Sequence, residues 1–159
     1  MSKHHQIIVI GGGTAGITVA ARLKKAKKDL DIAIIEPSSK HYYQPAWTLV
    51  GAGPFDLKDT ERNEKDYIPS GTTWIKDKVS SMDPDANEVT TEENGTLSYD
   101  YLVVAAGIQY NWEDIPGLKE AAGKHGVTSN YEKDLTGYTW QLLQNTKSGN
   151  AIFTQPATP

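Results

Sequence analysis

The sequence predicts an α/β fold, a parallel sheet with helices that is extended by a small antiparallel β-meander. Residues 6–10 (QIIVI) form a continuous β-branched run, which is typical of a strand buried on both faces. GGGTAG follows directly, and residues 31–35 (DIAII) predict a second buried strand. Since the span from residue 6 to residue 36 has the length of one β-α-β unit, we expect these two strands to lie parallel.

The helix between these strands is expected to begin at Thr14. Its apolar residues recur at three- and four-residue spacing, and lysines end it, where positive charge suits the helix dipole. The apolar positions are Ala15, Val19, Ala20 and Leu23.

Beyond Glu36 the pattern changes to short segments. We expect an aromatic loop, a charged and solvated helix or loop, a three-stranded meander, a buried strand, a connector, a helix and a final strand. In that order the segments are residues 38–53, 56–65, the strands 73–80, 88–91 and 97–99, then 101–105, 111–126, 131–146 and 151–154. A strand at the end of the chain favours two domains: residues 1–113, an incomplete nucleotide-binding domain, and residues 114–159, the connector, helix and first strand of a truncated second domain.

Composition excludes several classes of function. The 159 residues carry 16 Lys and Arg against 20 Asp and Glu, so binding to nucleic acid is not expected. The chain has no cysteine, which removes disulfides, thiolate metal sites and a thiol nucleophile from these residues. No apolar run is long enough for a membrane span or a signal peptide, and the location that we expect is the cytoplasm.

Gly11, Gly13 and Gly16 match the dinucleotide-binding pattern GxGxxG, here between a buried strand and a helix, which is the context that the motif requires. The three glycines allow a tight turn, the close approach of a pyrophosphate and close packing of the helix on the strand. The anion would bind to free N–H groups at the helix N-terminus. A turn that is merely rich in glycine is the simpler alternative.

Glu36 ends the second strand at the position where a carboxylate accepts hydrogen bonds from an adenosine ribose. Its charge would repel a 2′-phosphate, so NADP is not expected, although an exposed acid at a strand end is the simpler alternative. The ribose does not separate FAD from NAD. The meander followed by a strand that ends in Ala-Gly (LVVAAG) favours FAD, and a small-residue turn after a core strand is the alternative there.

The densest aromatic cluster contains His41, Tyr42, Tyr43 and Trp47. From the residues alone it is equally a small hydrophobic core beneath a loop or a part of a site. The other histidines show no ligand spacing, so neither a metal site nor a catalytic triad is expected.

Four stretches together closely resemble the N-terminal part of sulfide:quinone oxidoreductases, which are flavoproteins with two dinucleotide-binding domains. They are EPSSKHYYQPAWTLVGAG, IPSGTTWIKDKVSSMDPDANEV, YDYLVVAAGIQYNWEDIPGL and GNAIFTQPATP. The resemblance implies a Rossmann-like FAD-binding domain and a full-length enzyme that oxidises sulfide through a cysteine pair and FAD and reduces a membrane quinone. It also implies that any membrane contact lies in other segments.

The resemblance further implies which residues hold FAD. The glycines with Thr14 and Ala15 would bind the pyrophosphate, and Glu36 the ribose. The complete implied set is Gly11, Gly13, Thr14, Ala15, Gly16, Glu36, Pro37, Gln44, Pro45, Trp47, Val79, Ala105 and Gly107. It includes no catalytic residue and no metal ligand.

Two features of that family are absent from these 159 residues, the redox cysteines and the Gly-Asp pair that closes the FAD domain. We therefore expect a truncated chain that does not oxidise sulfide by itself, because thiol–disulfide exchange needs a sulfur nucleophile. Apolar surface left uncovered by the truncation favours a homo-oligomer. Two alternatives stay open: another flavoprotein on this scaffold, such as a type II NADH dehydrogenase or another pyridine nucleotide-disulfide oxidoreductase-like enzyme, and a non-catalytic nucleotide-binding module.

Overall fold

The chain divides into two compact units in a computed structural model that describes residues 3–155. The first compact unit is Met1–Tyr43 with Glu61–Tyr110, and the second is Gln44–Thr60 with Asn111–Pro159. The chain thus leaves the first unit after Tyr43 and returns to it at Glu61. This division groups residues 44–60 with the C-terminal part, and the division of the whole protein into domains stays a prediction.

The first compact unit is built on a six-stranded sheet. Its elements in chain order are β1 (Lys3–Ile10), α1 (Thr14–Ala26), β2 (Ile32–Ile35), β3 (Lys40–Tyr42), β4 (Glu61–Asn63), a 3₁₀ turn (Glu64–Asp66), β5 (Thr73–Ile75), β6 (Val79–Asp83), β7 (Glu88–Thr91) and β8 (Gly95–Val104). The strand order is β5-β2-β1-β8-β7-β6, and β3 and β4 form a separate antiparallel pair. Neighbours among β5, β2, β1 and β8 run parallel, whereas β7 and β6 are added antiparallel. The predicted α/β class, a mostly parallel sheet with an antiparallel addition, is confirmed.

The sheet is held by two apolar clusters. Successive side chains of a strand point to opposite faces, so Ile7 and Val9 join Ala20 of α1 in one cluster, while Ile8 and Ile10 belong to the other. Each fully buried isoleucine contributes roughly 1.5 to 3 kcal/mol. The continuous apolar run in the sequence is therefore explained by burial on both faces, and it brings the carboxyl end of β1 to the start of the glycine turn.

The second compact unit is helical. It contains α2 (Trp47–Ala52), α3 (Leu118–Ala121) and α4 (Lys133–Asn145), with 3₁₀ turns at Gln44–Ala46, Leu57–Thr60 and Trp112–Asp114. Helices α2 and α4 pack together, and Thr136 of α4 is completely buried, with its hydroxyl donating to the Lys133 carbonyl at 2.7 Å. Across residues 3–155, no helix combines the length and the apolarity that crossing a bilayer requires.

Two expectations about strands in the first unit were wrong. Residues 97–99 and 101–105 were expected as separate strands, but β8 runs unbroken through Asp100, whose side chain is half exposed and so does not interrupt the pairing with β1. Residues 73–80 were expected as the first meander strand, but Thr73–Ile75 pairs in parallel with β2, and only β6 pairs with β7.

Two further expectations were wrong. The charged stretch 56–65 is not one solvated helix or loop, because it contains two 3₁₀ turns and β4, and it buries Thr60 and Glu64. Residues 151–155 show no strand, since the described chain pairs nothing with them, and Ile152 and Phe153 are more than four-fifths exposed. The final residues of QPATP, 156–159, lie outside the described residues.

Candidate functional site

The glycine turn, Gly11–Gly16, crosses the carboxyl ends of three parallel strands. The Gly11 N–H donates to the Ile35 carbonyl of β2 at 2.9 Å, while Ala105, just after β8, donates to the Ile10 carbonyl at 2.8 Å. Gly11 has φ +100°, and a Cβ there would overlap the Ala105 carbonyl. A Cβ on Gly16 would likewise overlap the Gly11 carbonyl, so both glycines are required by close backbone approach.

The N-terminus of α1 presents free donors directly behind this turn. Gly13 is the N-cap residue, no side chain in the described part of the chain caps it, and a Cβ at Gly13 would meet no atom within 4 Å. Thr14 and Ala15 are exposed, and the first turn of α1 has no acidic residue. Helix N-termini leave backbone N–H groups without intrahelical partners, and the dipole favours negative charge there. The arrangement therefore fits a diphosphate.

Glu36 lies at the end of β2, against the glycine turn. Its carboxylate accepts a hydrogen bond from the Gly12 N–H at 2.8 Å and another from the Ser38 N–H at 2.7 Å. Its backbone is held from the other side, because the Trp74 indole of β5 donates to the Glu36 carbonyl at 2.9 Å. Pro37 follows it and is exposed. A charged acceptor is thus fixed next to the glycine turn, in the position that recognition of a ribose would require.

A second carboxyl group lies beside Glu36. Glu64, in the 3₁₀ turn after β4, is only 1% exposed, and its Oε2 lies 3.3 Å from Nδ1 of His41 in β3. The His41 ring is stacked on Tyr67, with ring centroids 5.2 Å apart. Burial raises the pKa of Glu64; the nearby His41 opposes this shift and the Glu36 charge adds to it. In the described residues, His41 is thus buried between the carboxyl group of Glu64 and the ring of Tyr67.

Three other sequence-predicted residues lie in the first compact unit. Val79 begins β6 and packs partly buried against one apolar cluster of the sheet. Ala105 touches the glycine turn through its backbone, as described above. Gly107 follows in the exposed segment after β8, with φ +77°. Their roles in cofactor binding stay predictions.

The predicted residues Gln44, Pro45 and Trp47 belong to the second compact unit. Gln44 and Pro45 form the 3₁₀ turn that precedes α2, and Trp47 begins α2 with 9% of its surface exposed. Their expected position along the cofactor is a prediction that neither unit tests by itself.

Sequence reasoning missed Gly12 and Glu64. Gly12 occupies a variable position of GxGxxG, and a Cβ there would lie 2.5 Å from Oε1 of Glu64 and 2.7 Å from Cγ of Glu36. No local signal could have singled out Glu64, since it stands in a run of charged residues (ERNEKD) that is typical of solvated surface. The middle glycine of GGG, at a position where the pattern allows any residue, was the one available hint that residue 12 is crowded.

The chain is similar in sequence to a known protein family and to individual members of it. The sequence model of the family described as pyridine nucleotide-disulphide oxidoreductase matches residues 5–137. The chain is 50% identical over 155 residues to the mitochondrial sulfide:quinone oxidoreductase of Dictyostelium discoideum, covering 96% of this chain and 34% of that protein. It is 45% identical over 157 residues to the mitochondrial enzyme of that name from Mus musculus, covering 99% of this chain and 35% of the relative.

A solved structure agrees with the sequence relatives. The sulfide:quinone oxidoreductase of Aquifex aeolicus superposes with a TM-score of 0.71 and 30% identity, over 90% of this chain and 32% of that one. The chain thus spans about a third of the length of these proteins. The resemblance to sulfide:quinone oxidoreductases is confirmed for that portion. By its sequence match and its fold, the chain belongs to the pyridine nucleotide-disulphide oxidoreductase family.

Proposed function

We propose that the chain binds FAD as part of a sulfide:quinone oxidoreductase. The observation that carries the proposal is the uncapped N-terminus of α1 behind the glycine turn, with the Glu36 carboxylate hydrogen-bonded to that turn. The similarity to sulfide:quinone oxidoreductases supports this function over a type II NADH dehydrogenase and over a non-catalytic module.

Different residues of the first compact unit would bind different parts of the cofactor. The N–H groups around Gly13, Thr14 and Ala15 would hold the diphosphate, and Glu36 the adenosine ribose. When bound, FAD would accept electrons from the substrate that is being oxidised and pass them to the electron acceptor. Pro37, Val79, Ala105 and Gly107 would line the cofactor in this unit. For Gln44, Pro45 and Trp47 a role in binding the cofactor is proposed from the family resemblance alone.

The activity of the whole protein is proposed to be the oxidation of sulfide with reduction of a quinone. The relatives' names state these two reactants for them. Because the 159 residues contain no cysteine, the thiols that this chemistry needs would come from chain outside these residues. The 159 residues alone are therefore expected to turn over no sulfide.

Three further properties belong to the same proposal. The whole protein would reach its quinone as a peripheral membrane protein, through segments other than these. The two relatives above are mitochondrial by name, whereas the sequence led us to expect the cytoplasm. Cell fractionation of the complete gene product would decide between these two locations. Homo-oligomers are expected, and a strictly monomeric sedimentation profile at high concentration would contradict that.

The test is the absorption spectrum of the complete gene product, followed by an assay of quinone reduction with sulfide. A yellow protein with flavin absorbance and sulfide-dependent quinone reduction is expected. A flavin-containing protein that oxidises NADH but not sulfide would favour the type II dehydrogenase. A colourless protein that binds only adenosine nucleotides would favour the non-catalytic module.

A further inference from the structure

Within the described part of the chain, one carboxyl oxygen of the buried Glu64 has no hydrogen-bond partner. The residue is 1% exposed, and no group among the described residues hydrogen-bonds to its Oε1. Buried polar atoms without partners are rare in folded proteins, and each one calls for an explanation. The candidate function described above does not use Glu64.

The unpartnered oxygen points at the glycine turn. If residue 12 had a Cβ, that atom would lie 2.5 Å from Oε1 of Glu64, and 2.7 Å from Cγ of Glu36. The carboxyl of Glu64 therefore occupies the space that a side chain at position 12 would need. Gly12 is buried, and its N–H is one of two backbone donors to the Glu36 carboxylate. Glu64 therefore lies close to both the donor and the acceptor of this hydrogen bond.

The other side of Glu64 is anchored. Its Oε2 faces His41, which is 8% exposed and stacked on Tyr67, and its backbone N–H donates to the Ser39 carbonyl at 3.0 Å. The titratable groups that face the carboxyl are thus Glu36 at the end of β2 and His41 in β3, with Tyr67 behind the histidine. The contact with His41 thus orients the carboxyl so that its other oxygen faces the glycine turn.

We propose that Glu64 is a positioning residue for the dinucleotide: uncharged, it supports Gly12 and Glu36 from beneath, and its ionisation weakens binding of the cofactor. The proposal rests on the proposed binding of FAD. An ionised Glu64 would place a second negative charge beside Glu36 in a site with little water, and it would also oppose the diphosphate at the glycine turn. Burial and the Glu36 charge raise the pKa of Glu64, so its carboxyl stays uncharged to a higher pH than that of an ordinary glutamate.

The test is the pH profile of FAD affinity, measured by titrating the flavin-free complete gene product with FAD. The Kd of the unchanged protein is expected to rise about three- to tenfold between about pH 5 and about pH 8. Glu64→Gln keeps the shape and stays uncharged, so its Kd is expected to stay nearly constant and to be the lower of the two at the higher pH. Glu61→Gln, at a half-buried acid of β4 that is paired with Lys40 of β3, is the matched control and should retain the original profile.

A flat profile of the unchanged protein, or an unaltered slope in Glu64→Gln, would overturn the proposal. So would a slope that disappears in His41→Gln but persists in Glu64→Gln. Glu36→Ala distinguishes failure of the Glu64 proposal from failure of the proposed FAD binding. If Glu36→Ala loses affinity and Glu64→Gln has no effect, only the role of Glu64 is rejected. If the unchanged protein does not bind FAD, both the role of Glu64 and the proposed function are rejected.

A second measurement avoids dependence on the folding of the variant. If binding favours the protonated carboxyl, FAD binding near neutral pH takes up protons, and calorimetry in buffers of different ionisation enthalpy measures that uptake on the unchanged protein. Binding heats that do not depend on the buffer would contradict the proposal.

Discussion

Two buried carboxyl groups of the first compact unit have opposite surroundings. Asp77, between β5 and β6, is 5% exposed and accepts hydrogen bonds from the Lys78, Glu93 and Asn94 N–H groups at 2.7, 3.1 and 2.8 Å. The Asn94 side-chain amide adds a fourth at 2.7 Å. Glu64 is still more deeply buried, yet within the described residues only one of its oxygens has a partner.

The pKa directions follow this difference. Burial opposes the ionisation of Asp77, but hydrogen bonds from Asn94, Thr91 and the backbone outweigh it and hold the pKa of Asp77 well below its usual range. For Glu64, burial prevails and raises the pKa. Both carboxylate oxygens of Asp77 accept hydrogen bonds, which join the segment before β6 to the turn after β7. Oε1 of Glu64 accepts none within the described residues. The hydrogen bonds thus distinguish Asp77, whose oxygens are satisfied, from Glu64, for which we propose a role in cofactor binding.

The largest effect is expected from Gly11→Ala in the glycine turn. The new Cβ would overlap the Ala105 carbonyl at a φ of +100°, so we expect a loss of about 3 kcal/mol or more in the free energy of unfolding. Denaturant unfolding measures it. The control is Gly13→Ala, where no atom lies within 4 Å of the added Cβ and the cost should stay within about 1 kcal/mol. Equal losses in both variants would contradict the assigned turn.

Asp77→Asn tests the structural member of the comparison. It removes a charged acceptor from four donors, and we expect the melting temperature at neutral pH to fall by about 5 °C or more. Because the folded-state pKa is lowered, the stability from Asp77 is present above the unfolded pKa and is lost as the pH falls through the folded pKa. The difference from the unchanged protein should therefore shrink in acid. Thermal unfolding across acidic pH checks this, with the exposed Asp85→Asn as control.

Glu36→Ala tests the binding region. Removal of a charged acceptor from the ribose should weaken FAD binding about tenfold or more. Equilibrium titration with FAD measures the Kd. Glu36→Gln retains an oxygen that can accept from the Gly12 N–H and should lose less affinity. Unchanged affinity in Glu36→Ala would reject the assignment of this residue to the cofactor.

Glu64→Gln is expected to have the smallest effect, one on the pH dependence of stability. A carboxyl whose folded-state pKa is raised contributes stability that is fully present below its unfolded pKa and is lost as the pH rises through the folded one. The variant should therefore lose less stability than the unchanged protein as the pH rises above the usual carboxyl range. Denaturant unfolding at several pH values measures the slope, and Glu93→Gln at an exposed site is the control. If the free energy of unfolding depends on pH in the same way in Glu64→Gln and in the unchanged protein, the titrating group is not Glu64.

The predictability of the molecule differs between these regions for a physical reason. The unit β1, glycine turn, α1 and β2 was predictable because burial on both faces, helical spacing and the glycine pattern are all local. The continuity of β8 was not, because Asp100 interrupts the apolar run in sequence while its side chain is half exposed in the sheet. The partner of Thr73–Ile75 was not either, since pairing with β2 is a contact between segments about forty residues apart in the chain.

The amino-acid order by itself determined the α/β class, the glycine turn behind β1, the position of an acid at the end of β2 and the resemblance to a flavoprotein family. The glycine turn and the acid lie within one span of about thirty residues, whereas the resemblance depends on four stretches between residues 36 and 159. Only the tertiary structure decided which charged residues are buried, because burial depends on what the rest of the chain packs against a residue. Glu64 and Asp77 stand among exposed charged neighbours in sequence, and folding alone places one under the glycine turn and the other inside a completed set of hydrogen bonds.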